Sequence, residues 1–202
     1  MFTIGITGGS GAGKTSALNA LRALGAFTLD CDAVYHELLA SDSDLKSELD
    51  TRFNGVLRDG EIDRRRLGEI VFNDPDALSE LNAITHKYVG KEIARRVSDA
   101  ELQGFSVVAI DAIALVESGR AKKCDITVGV TAPKELRVSR IMARDGITRE
   151  KAEMRICAQK PDDFYKDNCD YVLEGICANP GEFEEKCIEF FKKILGAIRT
   201  RD

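Results

Sequence analysis

One glycine-rich segment near the start of the chain constrains its fold more than any other feature. Residues 8–15 read GGSGAGKT and match the pattern G-x-x-x-x-G-K-[ST] in full. The segment follows a short apolar run at 2–7 and precedes apolar residues at helical spacing over 14–24. A glycine-rich turn between a strand and a helix surrounds an anion with backbone N–H groups and a helix N-terminus. The sequence therefore predicts a nucleoside triphosphate site beside a sheet.

The residue types of this loop suit the phosphates. Glycine permits unusual backbone angles and lets the main chain approach a ligand closely. Lys14 can reach the β- and γ-phosphates, and the Thr15 hydroxyl can bind Mg²⁺. A glycine-rich turn without a ligand is the alternative, but the complete motif in this context favours nucleotide binding. The expected contacts to the nucleotide are Gly8, Gly11, Ala12, Gly13, Lys14, Thr15 and Ser16.

The rest of the chain alternates short apolar runs with helical patterns. The runs at 105–110 and 125–131 are almost continuously apolar, as parallel strands covered on both faces are. This alternation predicts an α/β fold: a P-loop NTPase-type parallel sheet flanked by helices. We expect a single domain over residues 1–202, with its core at 1–41 and 104–202. The block at about 42–103 is too helical and too long for a crossover, and predicts an inserted helical subdomain.

Three acidic residues are candidates for the chemistry. Asp30 and Asp32 follow a predicted strand at 26–29, and ligands of doubly wound sheets bind beyond the carboxyl ends of the strands. Asp32 is the candidate base for an acceptor hydroxyl, with Asp30 supporting the loop or the metal; a helix cap at Ala33 is the alternative for Asp32. Asp111 ends an apolar run and resembles a Walker B metal ligand, or is simply a strand-end acid.

A local reversal of charge predicts a lid. Residues 133–160 carry eight basic and four acidic side chains, although the whole chain has a formal charge of -5. Arg137, Arg140 and Arg144 are spaced i, i+3, i+7 and so share one helix face. Arginine forks suit phosphate oxygens, and a lid at about 140–165 would exclude water from phosphoryl transfer. A solvated basic face is the alternative.

Composition excludes several other classes. The net acidic charge disfavours nucleic-acid binding, and no stretch is long and apolar enough for a membrane span. The six cysteines form no C-x-x-C pair and predict mostly buried, reduced thiols of a cytoplasmic protein. The chain has no N-K-x-D guanine motif and is short for a motor or transporter ATPase. These features favour a small-molecule kinase.

Several segments, taken in order, resemble the dephospho-CoA kinase family along nearly the whole chain. IGITGGSGAGKT at 4–15 is similar to that family's phosphate loop, and DCD at 30–32 is similar to its D-A-D motif. DGEIDR at 59–64, ESG at 117–119 and the arginines and Gln159 of 140–159 resemble its later motifs. None of the later motifs is specific for the family by itself, but their order and spacing taken together are specific for it.

The resemblance implies ATP-dependent phosphorylation of the ribose 3′-hydroxyl of dephospho-CoA, the last step of coenzyme A synthesis. It implies a P-loop kinase core, a helical acceptor-binding subdomain and a lid, with ATP and Mg²⁺ at the site. Lys14 and the loop amides would hold the ATP phosphates, and Asp32 would be the base. The other implied roles are phosphate clamps for Arg140 and Arg144, substrate binding for Arg64, His86 and Glu117, and metal binding for Thr15 and Asp111.

Two other functions stay open at this point. Ile113-Ala114-Leu115 departs from the family's P-L-L, which motivates a kinase for another nucleotide or small hydroxylated metabolite. A protein that binds nucleotide or coenzyme A without turnover is the second alternative, against which Lys14, Thr15 and Asp32 argue. We expect a monomer or small homo-oligomer with dephospho-CoA and ATP as its partners, and with no nucleic acid or membrane.

Overall fold

The computed structural model describes residues 1–177 and 179–199, which form two compact units. The sheet unit comprises residues 1–29 and the described residues from 100 onward. The helical unit comprises residues 30–99, so it includes a stretch before 42 that the sequence-based division assigned to the core. The chain passes between the units after Leu29 and again after Asp99.

The strands of both units are short. They are β1 (Phe2–Gly8), β2 (Phe27–Asp30), β3 (Leu57–Arg58), β4 (Glu61–Ile62), β5 (Val107–Asp111), β6 (Ile126–Thr131) and β7 (Tyr171–Glu174). The helices vary more in length. They are α1 (Lys14–Ala23), α2 (Cys31–Ser41), α3 (Ser43–Phe53), α4 (Arg64–Val71), α5 (Pro75–Leu102), α6 (Lys134–Asp145), α7 (Arg149–Cys157), α8 (Asp162–Asn168) and α9 (Pro180–Arg199).

The main sheet has the order β2-β5-β1-β6-β7, which confirms the predicted α/β fold. β1 is central and pairs in parallel with β5 and β6; Ile6 lies opposite Asp111 on one side and Val128 on the other. Ile4, Ile6 and Val128 are fully buried in a core that α1 and α9 also supply. This burial explains why the strand residues are almost continuously apolar. The sheet thus holds the end of β1, where the phosphate loop begins, on a rigid support.

The helical unit contains a β-hairpin that the sequence-based prediction missed. Helices were expected throughout 43–103, but β3 and β4 pair in an antiparallel ladder, with Leu57 opposite Ile62. The two residues between these strands, Asp59 and Gly60, both have positive φ, at 52° and 81°. Asp-Gly with positive φ at both positions is the type I′ turn that hairpins favour. The prediction was wrong here because a two-residue strand leaves almost no periodic signal.

The cysteines are less uniformly buried than the sequence suggested. Cys31 and Cys187 are buried, Cys124, Cys169 and Cys177 are half-buried, and Cys157 is exposed on α7. All six are free thiols, which agrees with the predicted reduced state. Within residues 1–177 and 179–199, no helix has the length and apolar character needed to cross a lipid bilayer.

Candidate active site

The phosphate loop connects the carboxyl end of β1 to the first residue of α1. Gly8, Gly11 and Gly13 have φ values of 143°, 75° and 114°, which side chains resist. Lys14 is half-buried in the first turn of α1, and its Nζ donates to the Gly8 carbonyl at 2.9 Å, so the lysine lies across the loop. Thr15 is exposed beside it. Ser16 is buried, and its hydroxyl donates to the Pro180 carbonyl at 3.5 Å.

Gly8 is required by packing as well as by its backbone angle. A Cβ at this position would lie 2.2 Å from the Val130 carbonyl oxygen on the neighbouring strand. We expect Gly8→Ala to lower the free energy of unfolding by about 2–4 kcal/mol, because the strand must shift to relieve the clash. Urea unfolding followed by circular dichroism measures the loss.

Gly25→Ala is the matched control for this prediction. Gly25 also has positive φ, at 86°, but a Cβ there would meet nothing within 4 Å. Its substitution should cost only the backbone strain, about 1 kcal/mol. Equal losses in the two variants would contradict a role for the Gly8–Val130 contact.

Arg137 packs against the outside of the phosphate loop, where it is 4% exposed. Its Nε donates to the Ser10 carbonyl at 3.0 Å, and its Nη2 donates to Gln159 Oε1 at 2.7 Å. The same Gln159 oxygen accepts from the Ser10 amide at 2.9 Å, and Gln159 Nε2 donates to the Ser10 hydroxyl at 2.9 Å. The amide, the carbonyl and the hydroxyl of Ser10 are therefore all hydrogen-bonded to Arg137 or Gln159.

Arg140 continues this arrangement one helical turn along α6. Its Nη1 donates to the Gly11 and Ala12 carbonyls, at 3.1 and 3.4 Å. Its Nη2 donates to the Gly175 carbonyl just beyond β7, at 2.9 Å. The guanidinium predicted as a phosphate clamp thus contacts the carbonyl side of the loop and ties the loop to the end of the sheet.

Arg144 does not join the other two arginines. It is exposed, and its Nε and Nη2 donate to the two carboxylate oxygens of Asp145, at 2.7 and 3.0 Å. Arg155 of α7 binds the same carboxylate. Hydrogen bonds from Arg144, and then from Arg155, lower the pKa of Asp145 to about 2 and keep it ionised at neutral pH. This cluster ties α6 to α7 within the predicted lid.

The two predicted metal ligands lie in the sheet unit. Asp111 ends β5, directly beside Ile6 of β1, and Thr15 is the second residue of α1, at the other end of the phosphate loop. Among residues 1–177 and 179–199, no three His, Cys, Asp or Glu side chains are clustered so that they could hold a metal ion. Mg²⁺ in kinase sites is bound through one or two protein oxygens together with substrate phosphates. A hydroxyl and one carboxylate at these places fit that chemistry.

Glu117 lines a cavity of about 310 Å³ in the sheet unit. Gln159, Lys160 and Tyr165 line the same cavity, with Ile113 and Ala158. Gln159 also contacts Ser10, so this cavity adjoins the phosphate loop. Its charged lining can accept a polar group of a substrate. Burial raises the pKa of Tyr165, so its hydroxyl stays protonated at neutral pH and can donate a hydrogen bond.

The start of α2 separates the roles of Asp30 and Asp32. Asp30 is the N-cap: its Oδ1 accepts from the amides of Asp32 and Ala33, at 2.8 and 3.0 Å. The helix begins at Cys31, so the alternative that Asp32 caps a helix at Ala33 is wrong. Asp32 instead occupies the first turn, with an exposed side chain. Its carboxylate is favoured there by the helix dipole.

The other predicted substrate residues belong to the helical unit. Arg64 is exposed at the first position of α4. Burial raises the pKa of Tyr35, and the positive charge of Arg64 offsets part of that rise. His86 is exposed near the middle of α5. The residues after it fasten α5 to α3, since Lys87 Nζ and the Tyr88 hydroxyl both donate to Glu48 Oε2, at 2.8 and 2.7 Å.

Arg137 and Ser10 were absent from the residues predicted for the site. Arg137 was recognised only as part of a basic helix face, and Gln159 only as part of a motif. Side-chain spacing along α6 cannot show which arginine is buried against the loop. The nearest sequence signal was the pair of glycines at 9 and 11, because a Cβ at Gly9 would lie 2.1 Å from Arg137 Nη2 and one at Gly11 2.8 Å from the Arg137 carbonyl oxygen.

Known proteins similar to this chain point to one family. The family model for dephospho-CoA kinase matches residues 2–179. A dephospho-CoA kinase of Dehalococcoides mccartyi is 35% identical over 196 residues, covering 96% of this chain and 97% of the relative. One of Corynebacterium glutamicum is 35% identical over 203 residues, covering 100% and 99%. A crystal structure of a Thermus thermophilus protein has a TM-score of 0.76 at 33% identity and covers 97% of both chains.

Proposed function

The chain belongs to the dephospho-CoA kinase family, and from this membership we propose how its residues carry out the family's reaction. The reaction transfers the γ-phosphoryl group of ATP to the ribose 3′-hydroxyl of dephospho-CoA, giving coenzyme A and ADP. The enzyme is a phosphotransferase with an alcohol as acceptor. The observation that carries this function is the complete phosphate loop at the end of β1, with Lys14 lying across it.

ATP is the co-substrate, and we propose that its phosphates are bound by the amides of the loop and by Lys14. The first N–H groups of an α-helix point out of its N-terminus, where they can donate to an anion. The Thr15 hydroxyl and the Asp111 carboxylate would hold Mg²⁺, which neutralises charge on the phosphate oxygens when bound. Arg144 is the proposed second cationic contact, released from Asp145 when the lid closes.

Asp32 is the proposed general base. Its carboxylate accepts the proton of the ribose 3′-hydroxyl as the new O–P bond forms and the bond from the γ-phosphorus to the ADP oxygen breaks. Asp30 supports this role by capping α2, which fixes the first turn that carries Asp32. Arg64, His86 and Glu117 are the proposed contacts to dephospho-CoA. The proposed setting is the cytoplasm, with the enzyme as a monomer or small homo-oligomer.

A turnover assay with a matched acceptor tests this function. Mg²⁺-ATP is supplied with dephospho-CoA, and ADP release is coupled to NADH oxidation while the acceptor is analysed by mass spectrometry. We expect ADP release only with acceptor present, together with the gain of one phosphoryl group on dephospho-CoA. Coenzyme A is the control, because its 3′-hydroxyl is already phosphorylated. ADP release at the same rate with coenzyme A would contradict the proposal and indicate an ATPase.

A further inference from the structure

We propose that Arg137, together with Gln159, is a positioning residue that orients the phosphate loop for ATP from its carbonyl side. Arg140 acts in the same way on the peptide unit that joins Ala12 to Gly13. These arginines contact no phosphate in this role; they act through the backbone of Ser10, Gly11 and Ala12. The inference rests on the proposed function, since it describes how the ATP site of that reaction is prepared.

The geometry of the peptide unit explains how an arginine bound to a carbonyl can orient an amide. The peptide bonds of the described residues are trans, so each C=O points opposite to the N–H of the following residue. Arg137 Nε binds the Ser10 carbonyl, which turns the Gly11 N–H away from the arginine. Arg140 Nη1 binds the Ala12 carbonyl, which does the same for the Gly13 N–H. Two amides of the loop are thereby directed to the phosphate-binding side.

The burial of Arg137 carries the second step. An arginine that is 4% exposed cannot reach out to a ligand, and its Nε and Nη2 are already bound to protein oxygens. Its remaining Nη1 lies 3.6 Å from Asp162 Oδ1, so the third nitrogen faces a carboxylate. A buried guanidinium is stable only when its donors are satisfied, and the phosphate loop supplies part of that satisfaction. The loop conformation and the arginine therefore stabilise one another.

Gln159 gives the arrangement its specificity. Its Oε1 accepts from both Arg137 and the Ser10 amide, and its Nε2 donates to the Ser10 hydroxyl. The amide can satisfy all of these contacts in only one orientation, so Gln159 selects a single position for Ser10. Gly9 leaves room for the guanidinium, because a Cβ there would lie 2.1 Å from Arg137 Nη2. The phosphate loop therefore has its ATP-binding conformation before ATP binds.

Arg137→Gln tests the inference through ATP affinity. We expect the dissociation constant for Mg²⁺-ATP, measured by calorimetry without dephospho-CoA, to rise about 10- to 100-fold. Effects of this size are typical when binding groups are displaced from their productive positions. The KM for ATP should rise by a similar factor, while the KM for dephospho-CoA stays within about 2-fold. Amide hydrogen exchange at Ser10 and Ala12, whose amides donate to Gln159 and to the Gly9 carbonyl, should become faster in the ATP-free protein as the loop loosens. Arg137→Lys should recover part of the affinity, since lysine can bind one of the two oxygens but lacks the fork.

Gln159→Leu keeps the test decisive if Arg137→Gln folds poorly. It removes the acceptor that Arg137 Nη2 and the Ser10 amide share but keeps the arginine itself, and it should weaken ATP binding in the same selective way. Arg22→Gln is the control, because Arg22 is exposed on α1 and undergoes the same change of charge. Unchanged ATP affinity in both Arg137→Gln and Gln159→Leu would overturn the inference. Equal losses for ATP and dephospho-CoA would overturn it as well, by showing a general structural role.

The two proposals fail in distinguishable ways. Wild-type protein that binds Mg²⁺-ATP but does not phosphorylate dephospho-CoA would refute the proposed function. The calorimetric test of Arg137 would still give a result in that case, because it measures ATP affinity alone. Wild-type turnover with normal ATP binding in the Arg137 and Gln159 variants would refute only the positioning role.

Discussion

Replacing Lys14 by methionine should lower kcat/KM for ATP about 10³-fold while leaving the fold intact. Lys14 is the cation of the phosphate loop, and its half-buried Nζ already lies across that loop, 2.9 Å from the Gly8 carbonyl. The charge on the transferred phosphoryl oxygens is spread in the transition state, where a fixed cation stabilises it most. Methionine has a similar length and no charge. Steady-state kinetics with ATP varied at saturating dephospho-CoA measure the loss.

Lys192→Met is the control for this substitution. Lys192 is exposed on α9, so its replacement removes one positive charge from the sheet unit without touching the phosphate loop. Its kinetic constants should match the wild type within about 2-fold, since a change at an exposed position has little effect. A Lys14→Met enzyme that retains more than a tenth of wild-type activity would contradict the assignment of Lys14 to the transition state.

Asp32→Asn should lower kcat about 10²- to 10⁴-fold, the range typical for the loss of a general base. Asparagine keeps the size of the side chain but cannot accept the proton of the ribose hydroxyl. Binding of Mg²⁺-ATP should stay within about 3-fold of wild type, because the phosphate contacts are assigned to the loop and to Lys14. The measurements are turnover with dephospho-CoA and ATP calorimetry on the same preparation.

The chain contains a close structural match for Asp32. α3 has an N-cap at Asp42 and an acidic residue, Asp44, in its first turn, just as α2 has Asp30 and Asp32. Asp44→Asn removes the same interaction with a helix dipole, and each substitution should cost at most about 1 kcal/mol of stability. Normal turnover in Asp44→Asn beside the loss in Asp32→Asn would assign the effect to chemistry. Full turnover in Asp32→Asn would remove Asp32 as the base.

The elements that could be predicted from the sequence are those with local causes. The phosphate loop is specified by eight consecutive residues, and the strand and helix on either side have clear periodicities. Pro75 is the first residue of α5, a position where its missing N–H has no consequence and which proline favours. The β3–β4 hairpin was missed although Asp59-Gly60 marks it, because the surrounding pattern was interpreted only as helical.

The arginines of α6 show where local reasoning stops. Their spacing correctly predicts one face, but a helix rises about 1.5 Å per residue, so Arg144 lies roughly 10 Å farther along the axis than Arg137. At that distance the three side chains meet different surroundings. Arg137 and Arg140 reach the carbonyls of the phosphate loop, whereas Arg144 binds Asp145.

The sequence by itself therefore determined the type of chemistry. It contains a triphosphate-binding loop, a lysine, a hydroxyl and carboxylates, in the order along the chain that is typical of a kinase. Only the tertiary structure decided which side of that loop each arginine contacts. The reason is physical. A loop motif depends on neighbours in the chain, whereas burial of Arg137 against Ser10 joins residues 127 positions apart, and such contacts exist only after folding has brought the phosphate loop and α6 together.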